Sequence, residues 1–335
     1  MHLKGIIKSR NILIFTAVLI ISLSASYSVV YTAIQSFSNL EPGGNSDSLL
    51  YLSMYNSKTV QGHWRYRVVT PFLAKALPDM PSSLFNQKRI ITDFWIAKVK
   101  FGMVNFFFLS LTGILFFYFL LSFGFSLTES LLGILLFYTA RPVVQNSGVP
   151  MVEASAYFFL ILCLYAIRLG NLPLLAIGFS IGVFAKETIF LIFPAILLSQ
   201  LKNKTKAIIY LLPAASAYLL FRFHIYPSAQ ETHLNLKYLL FPAGYQLNSL
   251  FRFNKLADLI SSFGLLWLPA LYALGERKID LQIRKWSYLI IFVLVIILQL
   301  KGDGNFGRLL FMSFPMVIPL ALYGIRSMVG KTAES

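Results

Sequence analysis

The sequence has 335 residues, of which 57% are hydrophobic and only 13% are charged, and its mean hydropathy is +0.70. Soluble domains carry about 25% charged residues, and several apolar runs here reach the roughly 17–20 residues that cross a bilayer, so a soluble globular protein is excluded. The net charge is +16, which nucleic-acid binding or an enrichment of Lys and Arg in cytoplasmic loops could explain. We adopt the second explanation, because the sequence offers no basic, aromatic-rich soluble segment to bind nucleic acid.

Apolar segments recur along the chain and predict an all-α polytopic membrane protein with one transmembrane domain over residues 1–335. The predicted spans are 12–34, 101–123, 128–145, 151–167, 172–185, 187–200, 207–223, 258–275, 286–301 and 308–326. The first is interpreted as an uncleaved span, since its apolar stretch continues to about Tyr31.

Residues 172–200 admit two interpretations. A single span would bury Lys186 and Glu187 at the bilayer centre, which costs several kcal/mol on insertion scales. Two short spans place that pair at a turn and keep the Lys- and Arg-rich loops in the cytoplasm, as the positive-inside bias requires. The second interpretation predicts about ten spans, a shallow hairpin at 172–200, and both termini in the cytoplasm.

This topology leaves the unusual polar residues on one side of the membrane. The loops predicted outside are 35–100, 146–150, 186–187, 224–257 and 302–307. They or their margins hold Asp47, Arg65, Arg67, Lys186, Glu187, Asp303 and Arg308. The sequence therefore predicts one functional face, on the extracytoplasmic side.

The first outer loop opens with turn residues at 41–45, followed by Asp47 at the start of an apolar helix. Asp47 either caps this helix or serves as a carboxylate held just above the membrane, suited to act as a general base.

The stretch QGHWRYRVVTPFLAKALP, residues 61–78, follows in the same loop. Apolar residues recur at helical spacing from Val68 onward and predict an amphipathic helix in the membrane interface. Trp64 and Tyr66 fit interface anchors. Arg65 and Arg67 at the head of that helix suit bidentate contact with a phosphate at headgroup depth.

Two later turns add charge. Lys186 and Glu187 admit two interpretations. Either they neutralise each other, or Lys186 is a second cation for the phosphate and Glu187 binds Lys186 or a sugar hydroxyl. Arg308 lies at the outer margin of a span, where the positive-inside bias disfavours a cation. Its presence there indicates a local anion. Packing or interface roles are predicted for three other polar residues, Arg141, Glu153 and His224.

Four short motifs lie in or beside the predicted outer loops: NSDSLLYL in the first outer loop, YRVVTPFLAKALP, AKET between two short apolar segments, and the late GRLLFMSFP. Together they resemble the membrane-embedded GT-C glycosyltransferases, in particular small bacterial members that use polyprenyl-phosphate sugars. By topology the resemblance covers most of the chain.

The resemblance implies a hexosyltransferase of the bacterial inner membrane that moves a sugar to a cell-envelope glycan, glycolipid or protein on the extracytoplasmic side. It implies Asp47 as the catalytic residue. By position, Arg65, Arg67, Lys186 and Arg308 are the expected ligands of the donor phosphate. Sugar or acceptor contacts are expected from Tyr51, Tyr55, His63, Trp64, Glu187 and Asp303.

Two departures from the family pattern bear on cofactors and acceptors. Many members carry two adjacent acidic residues in the first loop, whereas Asp47 is flanked by serines, so dependence on Mg²⁺ or Mn²⁺ is left open. Members acting on proteins or cell-wall glycans often carry a large soluble C-terminal domain, whereas this sequence stops soon after its last predicted span. Acceptor recognition is therefore expected from loops 35–100 and 224–257.

Two alternatives remain open. A lipid or lipid-linked-sugar flippase would place ionisable residues near the midplane and relate broken helices by a repeat. A structural or assembly protein would use its cations only to bind anionic lipid.

Overall fold

A computed structural model describes residues 2–36, 46–58, 60, 63–78, 93–147, 150–225, 253–276, 279–299 and 306–334. Helix dominates these residues and none of them lies in a β-strand, which confirms the all-α prediction. Most of the predicted second outer loop, 224–257, and Asp303 lie outside the described residues.

The described α-helices are α1 (His2–Ser36), α2 (Ser46–Tyr55), α3 (Val69–Ala76), α4 (Asp93–Ser122), α5 (Leu127–Thr139), α6 (Arg141–Asn146), α7 (Glu153–Leu169), α8 (Leu172–Ala185), α9 (Ile192–Leu198), α10 (Lys204–Leu220), α11 (Phe253–Ser261), α12 (Trp267–Gly275), α13 (Leu281–Gln299), α14 (Phe306–Leu310) and α15 (Phe314–Glu334). Short 3₁₀ turns at His63–Tyr66, Glu187–Leu191, Gly264–Leu266 and Phe311–Ser313, and a π-helical turn at Phe221–Ile225, complete the described helical structure.

Four helical stretches in the described chain are long and apolar enough to cross a membrane, namely Ile12–Ile34, Trp95–Ser122, Lys204–Phe223 and Phe306–Val329. A fifth is added if Lys255–Ser261 and Gly264–Gly275, which meet at a bend of 78°, count as one span. The described part of the chain is thus helical with four or five candidate membrane spans, and the other predicted spans contain helices that do not meet this criterion.

The predicted break at residues 186–187 is present. Helix α8 ends at Ala185, and Lys186 has extended backbone angles (φ −164°, ψ 137°) before the turn Glu187–Leu191 begins. A helix is also present where the interfacial helix is predicted from Val68: α3 covers Val69–Ala76, with Thr70, Pro71 and Ala74 buried, and its place in the membrane interface stays a prediction. Phe72 on its other face is 70% exposed.

An aromatic cluster fixes the start of α15 in the centre of the bundle. The ring of Phe314 lies 5.2 Å from Phe116 on α4, 4.9 Å from Phe137 on α5 and 5.7 Å from Tyr157 on α7, measured between centroids. These contacts bring the preceding short helix α14, which carries Arg308, beside the N-terminus of α7.

Helices α12 and α15 approach backbone to backbone at Gly324. A Cβ atom added to Gly324 would overlap the carbonyl oxygen of Pro269, whereas one added to Gly275 would meet nothing within 4 Å. Small residues permit such close helix contacts in membrane proteins.

We expect Gly324→Ala to destabilise the protein by about 1–3 kcal/mol, because the backbone of α12 would have to move to admit the methyl group. Thermal unfolding in detergent would measure this as a lower midpoint than wild type. Gly275→Ala is the matched control and should leave the midpoint unchanged or slightly raised, because its site is open. Equal midpoints for the two variants would contradict the close contact.

Candidate functional site

Six charged side chains meet where several helices begin or break. We call them the ion cluster: Asp47, Arg67, Glu153, Lys186, Glu187 and Arg308. Asp47 lies in the first turn of α2 and Glu153 in the first turn of α7, while Lys186 and Glu187 stand at the break after α8. Helix packing thus joins residues that are up to 261 positions apart in the sequence.

Four of these side chains form a continuous chain of charge-assisted hydrogen bonds. Arg308 donates from Nη1 to Asp47 Oδ2 at 2.8 Å and from Nε to Glu153 Oε1 at 2.7 Å. Lys186 Nζ donates to the same Glu153 oxygen at 2.7 Å. Glu153 therefore holds two cations at once, and the chain runs from Asp47 through Arg308 and Glu153 to Lys186.

Arg67 and Glu187 form the second part of the ion cluster. The Arg67 guanidinium binds the Glu187 carboxylate in a bidentate way: Nε donates to Oε2 at 2.8 Å and Nη2 donates to Oε1. Its Nη1 donates to the Tyr51 hydroxyl at 2.8 Å. This bidentate geometry fixes the orientation of both side chains more strictly than a single hydrogen bond would.

Burial and charge act in opposite directions on the pKa values in this part. Burial lowers the pKa of Arg67, but the Glu187 carboxylate and Tyr51 more than offset it, so the pKa stays above its ordinary value. Burial raises the pKa of the Tyr51 hydroxyl, with Arg67 acting in the opposite direction. At neutral pH Arg67 is therefore a cation and Tyr51 a neutral hydrogen-bonding group.

The ion cluster is balanced in charge and open on one side. Its three cations face three carboxylates, which range from the inaccessible Glu153, 0% exposed, through Asp47, 18% exposed, to Glu187, 28% exposed. Arg308 is 13% exposed, more than either of the other two cations, and it binds both Asp47 and Glu153. A ligand would therefore reach the ion cluster at the contact between Asp47 and Arg308.

The structure gathers most of the site residues predicted from the sequence. Asp47, Arg67, Lys186, Glu187 and Arg308 join the ion cluster, with Tyr51 hydrogen-bonded to it.

Arg65 and Tyr55 lie outside this set of contacts. Arg65 lies over the ring of Tyr66, 5.8 Å from its centroid. Tyr55 is on α2, where its ring centroid lies 6.1 Å from that of Phe101. His63 and Trp64 occupy the turn His63–Tyr66, so their backbone is placed near Arg67.

Three interpretations from the sequence need correction. Lys186 and Glu187 do not neutralise each other, because each binds a distant partner. Tyr66 is fully buried rather than an interface anchor, and its hydroxyl donates to the Arg222 carbonyl at 2.9 Å. Glu153 is the centre of the ion cluster rather than a packing residue. Its position in the first turn of an apolar helix, at the end predicted to lie outside with Lys186 and Arg308, is the signal that could have identified it.

The described residues contain no group of three or more His, Cys, Asp or Glu side chains placed to hold a metal ion.

An apolar cavity of about 1020 Å³ lies beside helices α11 to α14. Leu259, Trp267, Leu271, Ile291 and Leu310 are among the residues that line it. Leu310, one of these residues, follows Arg308 by two positions on α14.

A comparison with known proteins finds no family model, no curated protein and no solved structure that matches this chain.

Proposed function

We propose that the protein is a membrane-embedded glycosyltransferase with a GT-C-like arrangement of about ten helical crossings. In this proposal it moves a sugar from a polyprenyl-phosphate donor to a glycan, glycolipid or protein hydroxyl on the extracytoplasmic side of a bacterial inner membrane. The observation that carries the proposal is the contact between Asp47 and Arg308 at the accessible edge of a buried ion cluster.

Asp47 and Arg308 supply the two functions that the reaction needs. Asp47 accepts the proton from the acceptor hydroxyl as its oxygen forms a bond to the anomeric carbon. The bond from that carbon to the donor phosphate breaks, and the electron pair leaves with the phosphate. Arg308 binds the phosphate as its negative charge develops, an electrostatic stabilisation that is stronger away from bulk water. Arg65 is the further cation assigned to this phosphate.

Arg67 and Lys186 contribute mainly by position. They are 5% and 1% exposed, and each is bound to a carboxylate, so direct contact with the phosphate would require them to leave Glu187 or Glu153. Their positive charge still adds to the field at the ion cluster. In this proposal they orient the side chains that contact the substrate.

The apolar cavity supports a lipid-linked donor. Its volume of about 1020 Å³ is at the upper end of the roughly 300–1,000 Å³ typical of small-molecule sites. A hydrocarbon chain lying along Leu310 and Trp267 would bring its phosphate end toward Arg308.

A lipid flippase is the second candidate, and the bent pair Lys255–Ser261 and Gly264–Gly275 favours it. Broken helices are typical of transporter binding sites, and this one lines the apolar cavity. A flippase would move labelled polyprenyl-phosphate sugar between the leaflets of a proteoliposome without releasing polyprenyl phosphate.

The test of the transferase proposal uses purified protein, a panel of polyprenyl-phosphate sugars, and bacterial lipid and glycan extract as acceptor. We expect release of free polyprenyl phosphate from one donor, with the sugar recovered on an acceptor, because the ion cluster stabilises the leaving phosphate. Movement of intact donor across the membrane without any release would instead establish the flippase.

A further inference from the structure

A polar pocket lies at the end of the molecule opposite the ion cluster. Helix α7 carries Glu153 in its first turn and Arg168 in its last, so the two ends are separated by about 22 Å along its axis. A pocket of about 380 Å³ opens beside Arg168, between the turn from α7 to α8 and the starts of α10 and α13. Its polar lining includes Lys202, Asn203 and Gln282.

Three helices begin at this pocket. Leu172 is the first residue of α8, Asn203 precedes α10, and Gln282 is the second residue of α13, and all three line the pocket. Helix N-termini carry unsatisfied N–H groups and a partial positive charge, so they attract anions.

The first turns differ in how they are capped. The first turn of α8 is capped by the Asn171 side chain, which accepts from the Leu174 amide at 3.1 Å. That of α13 is capped by Asp280, which accepts from the Gln282 amide at 2.8 Å. Helix α10 starts without a side-chain cap and is therefore the end best able to bind a ligand.

The buried side chain of Gln282 indicates a ligand in the pocket independently of the helix starts. It is 3% exposed, and its Oε1 accepts from Arg168 Nη1 at 3.2 Å. This contact fixes the orientation of the amide, because the reverse orientation would set two donors against each other. Its Nε2 is consequently buried beside the pocket with no acceptor among the described residues. A buried donor without an acceptor is unfavourable, so the pocket lacks an acceptor group.

The balance of charge indicates what that acceptor is. Arg168 is offset by Asp280, whose carboxylate lies 3.4 Å away, and it also donates to the Ser122 carbonyl. Lys202 is exposed at the pocket's edge, and none of the described residues that line the pocket carries a carboxylate. The excess positive charge therefore comes from Lys202 and the helix starts.

We infer that this pocket binds a phosphate group, carried either by an anionic lipid headgroup or by a small soluble phosphate compound. Its oxygens would accept from Lys202, from the Gln282 amide and from the first turn of α10. The site is separate from the ion cluster and does not depend on the proposed transferase activity.

The test measures binding to the purified full-length chain by calorimetry in a non-ionic detergent. The probes are inorganic phosphate and dihexanoyl phosphatidylglycerol, with sodium chloride at equal ionic strength as the control for general screening. Tighter binding of the lipid than of phosphate would identify a headgroup site. Binding of phosphate but not of the lipid would identify a site for a soluble compound. Binding of neither probe would overturn the inference.

Variants locate the site. We expect Lys202→Gln to weaken binding about tenfold, because it removes a charge-assisted hydrogen bond. Gln282→Glu should weaken it at least as much, since it places a carboxylate at the pocket while keeping an acceptor for Arg168. Lys206→Gln is the matched control, because its ammonium lies 5.9 Å over the ring of Tyr210 and does not line the pocket. A loss of affinity in Lys206→Gln equal to that in Lys202→Gln would also overturn the inference.

Discussion

Asp47→Asn is expected to separate binding from turnover. In the proposed transferase, the rate of sugar transfer should fall by about 10²–10⁴-fold, because an amide cannot accept the proton from the acceptor hydroxyl. Affinity for the donor phosphate should rise at the same time. The Asp47 carboxylate occupies Arg308 Nη1 at 2.8 Å and therefore competes with the phosphate for the same cation.

The rise in affinity follows from the charge balance of the ion cluster. Three carboxylates already neutralise its three cations, so a phosphate must displace one of them. Arg308 is the most exposed of the three cations, and of its two carboxylate partners Asp47 is the more exposed, so Asp47 is the one that a phosphate displaces. Removing that competitor should tighten binding of a short-chain polyprenyl phosphate about fivefold to tenfold, the scale of one partly exposed ion pair.

Two measurements check this expectation: the rate of polyprenyl phosphate release, and calorimetric binding of the short-chain polyprenyl phosphate. Glu129→Gln is the matched control, since it also removes a carboxylate from an arginine, Arg326, at the other end of α15. It should change neither quantity. Unchanged phosphate affinity in Asp47→Asn would show that Arg308 is not the phosphate ligand. Unchanged turnover would remove Asp47 as the base.

Much of the fold could be predicted because hydrophobic periodicity is a local signal. The helix α3 follows from residues adjacent in sequence, and the break at Lys186 follows from the cost of burying the adjacent Lys186 and Glu187 together with the positive-inside bias of the loops. The number of crossings does not follow from this local signal, since α5 and α8 have only 13 and 14 residues. Whether such short helices cross a bilayer depends on their tilt and packing, which composition does not encode.

The site was predictable as a set of residues and not as a set of contacts. Topology places Lys186, Glu187 and Arg308 on one face, but the choice of partner depends on packing between elements far apart in sequence. Lys186 forms its ion pair with Glu153, 33 residues away, rather than with its neighbour Glu187. Glu187 selects Arg67 across 120 residues. Glu153 was missed because a lone carboxylate at a helix start is usually a cap, and only the tertiary structure shows that it joins two cations.

Glu153→Gln is the second variant with a large expected effect. Glu153 is 0% exposed and offsets the charges of Lys186 and Arg308, which are 1% and 13% exposed. Loss of one partner from a buried ion pair leaves an uncompensated charge and typically costs about 3–5 kcal/mol. We therefore expect a markedly lower midpoint of thermal unfolding in detergent, with the glutamine keeping the shape of the side chain.

A double variant distinguishes stability from function. In Glu153→Gln/Lys186→Met both buried charges of the pair are gone, and apolar replacement of a buried ion pair is often neutral or stabilising. The unfolding midpoint should return toward that of wild type. Phosphate affinity should not return, because Arg308 still lacks the carboxylate that receives its Nε at 2.7 Å and holds its guanidinium toward Asp47.

The contrast between the two variants gives Glu153 its role. If the double variant regains stability but binds the short-chain polyprenyl phosphate more weakly than wild type, Glu153 is a positioning residue for Arg308. If it regains both stability and affinity, the role of Glu153 is to neutralise Lys186, and Arg308 is held by Asp47 and its own helix. A double variant as unstable as Glu153→Gln would show that the destabilisation comes from Arg308, the other cation that Glu153 binds, and not from Lys186.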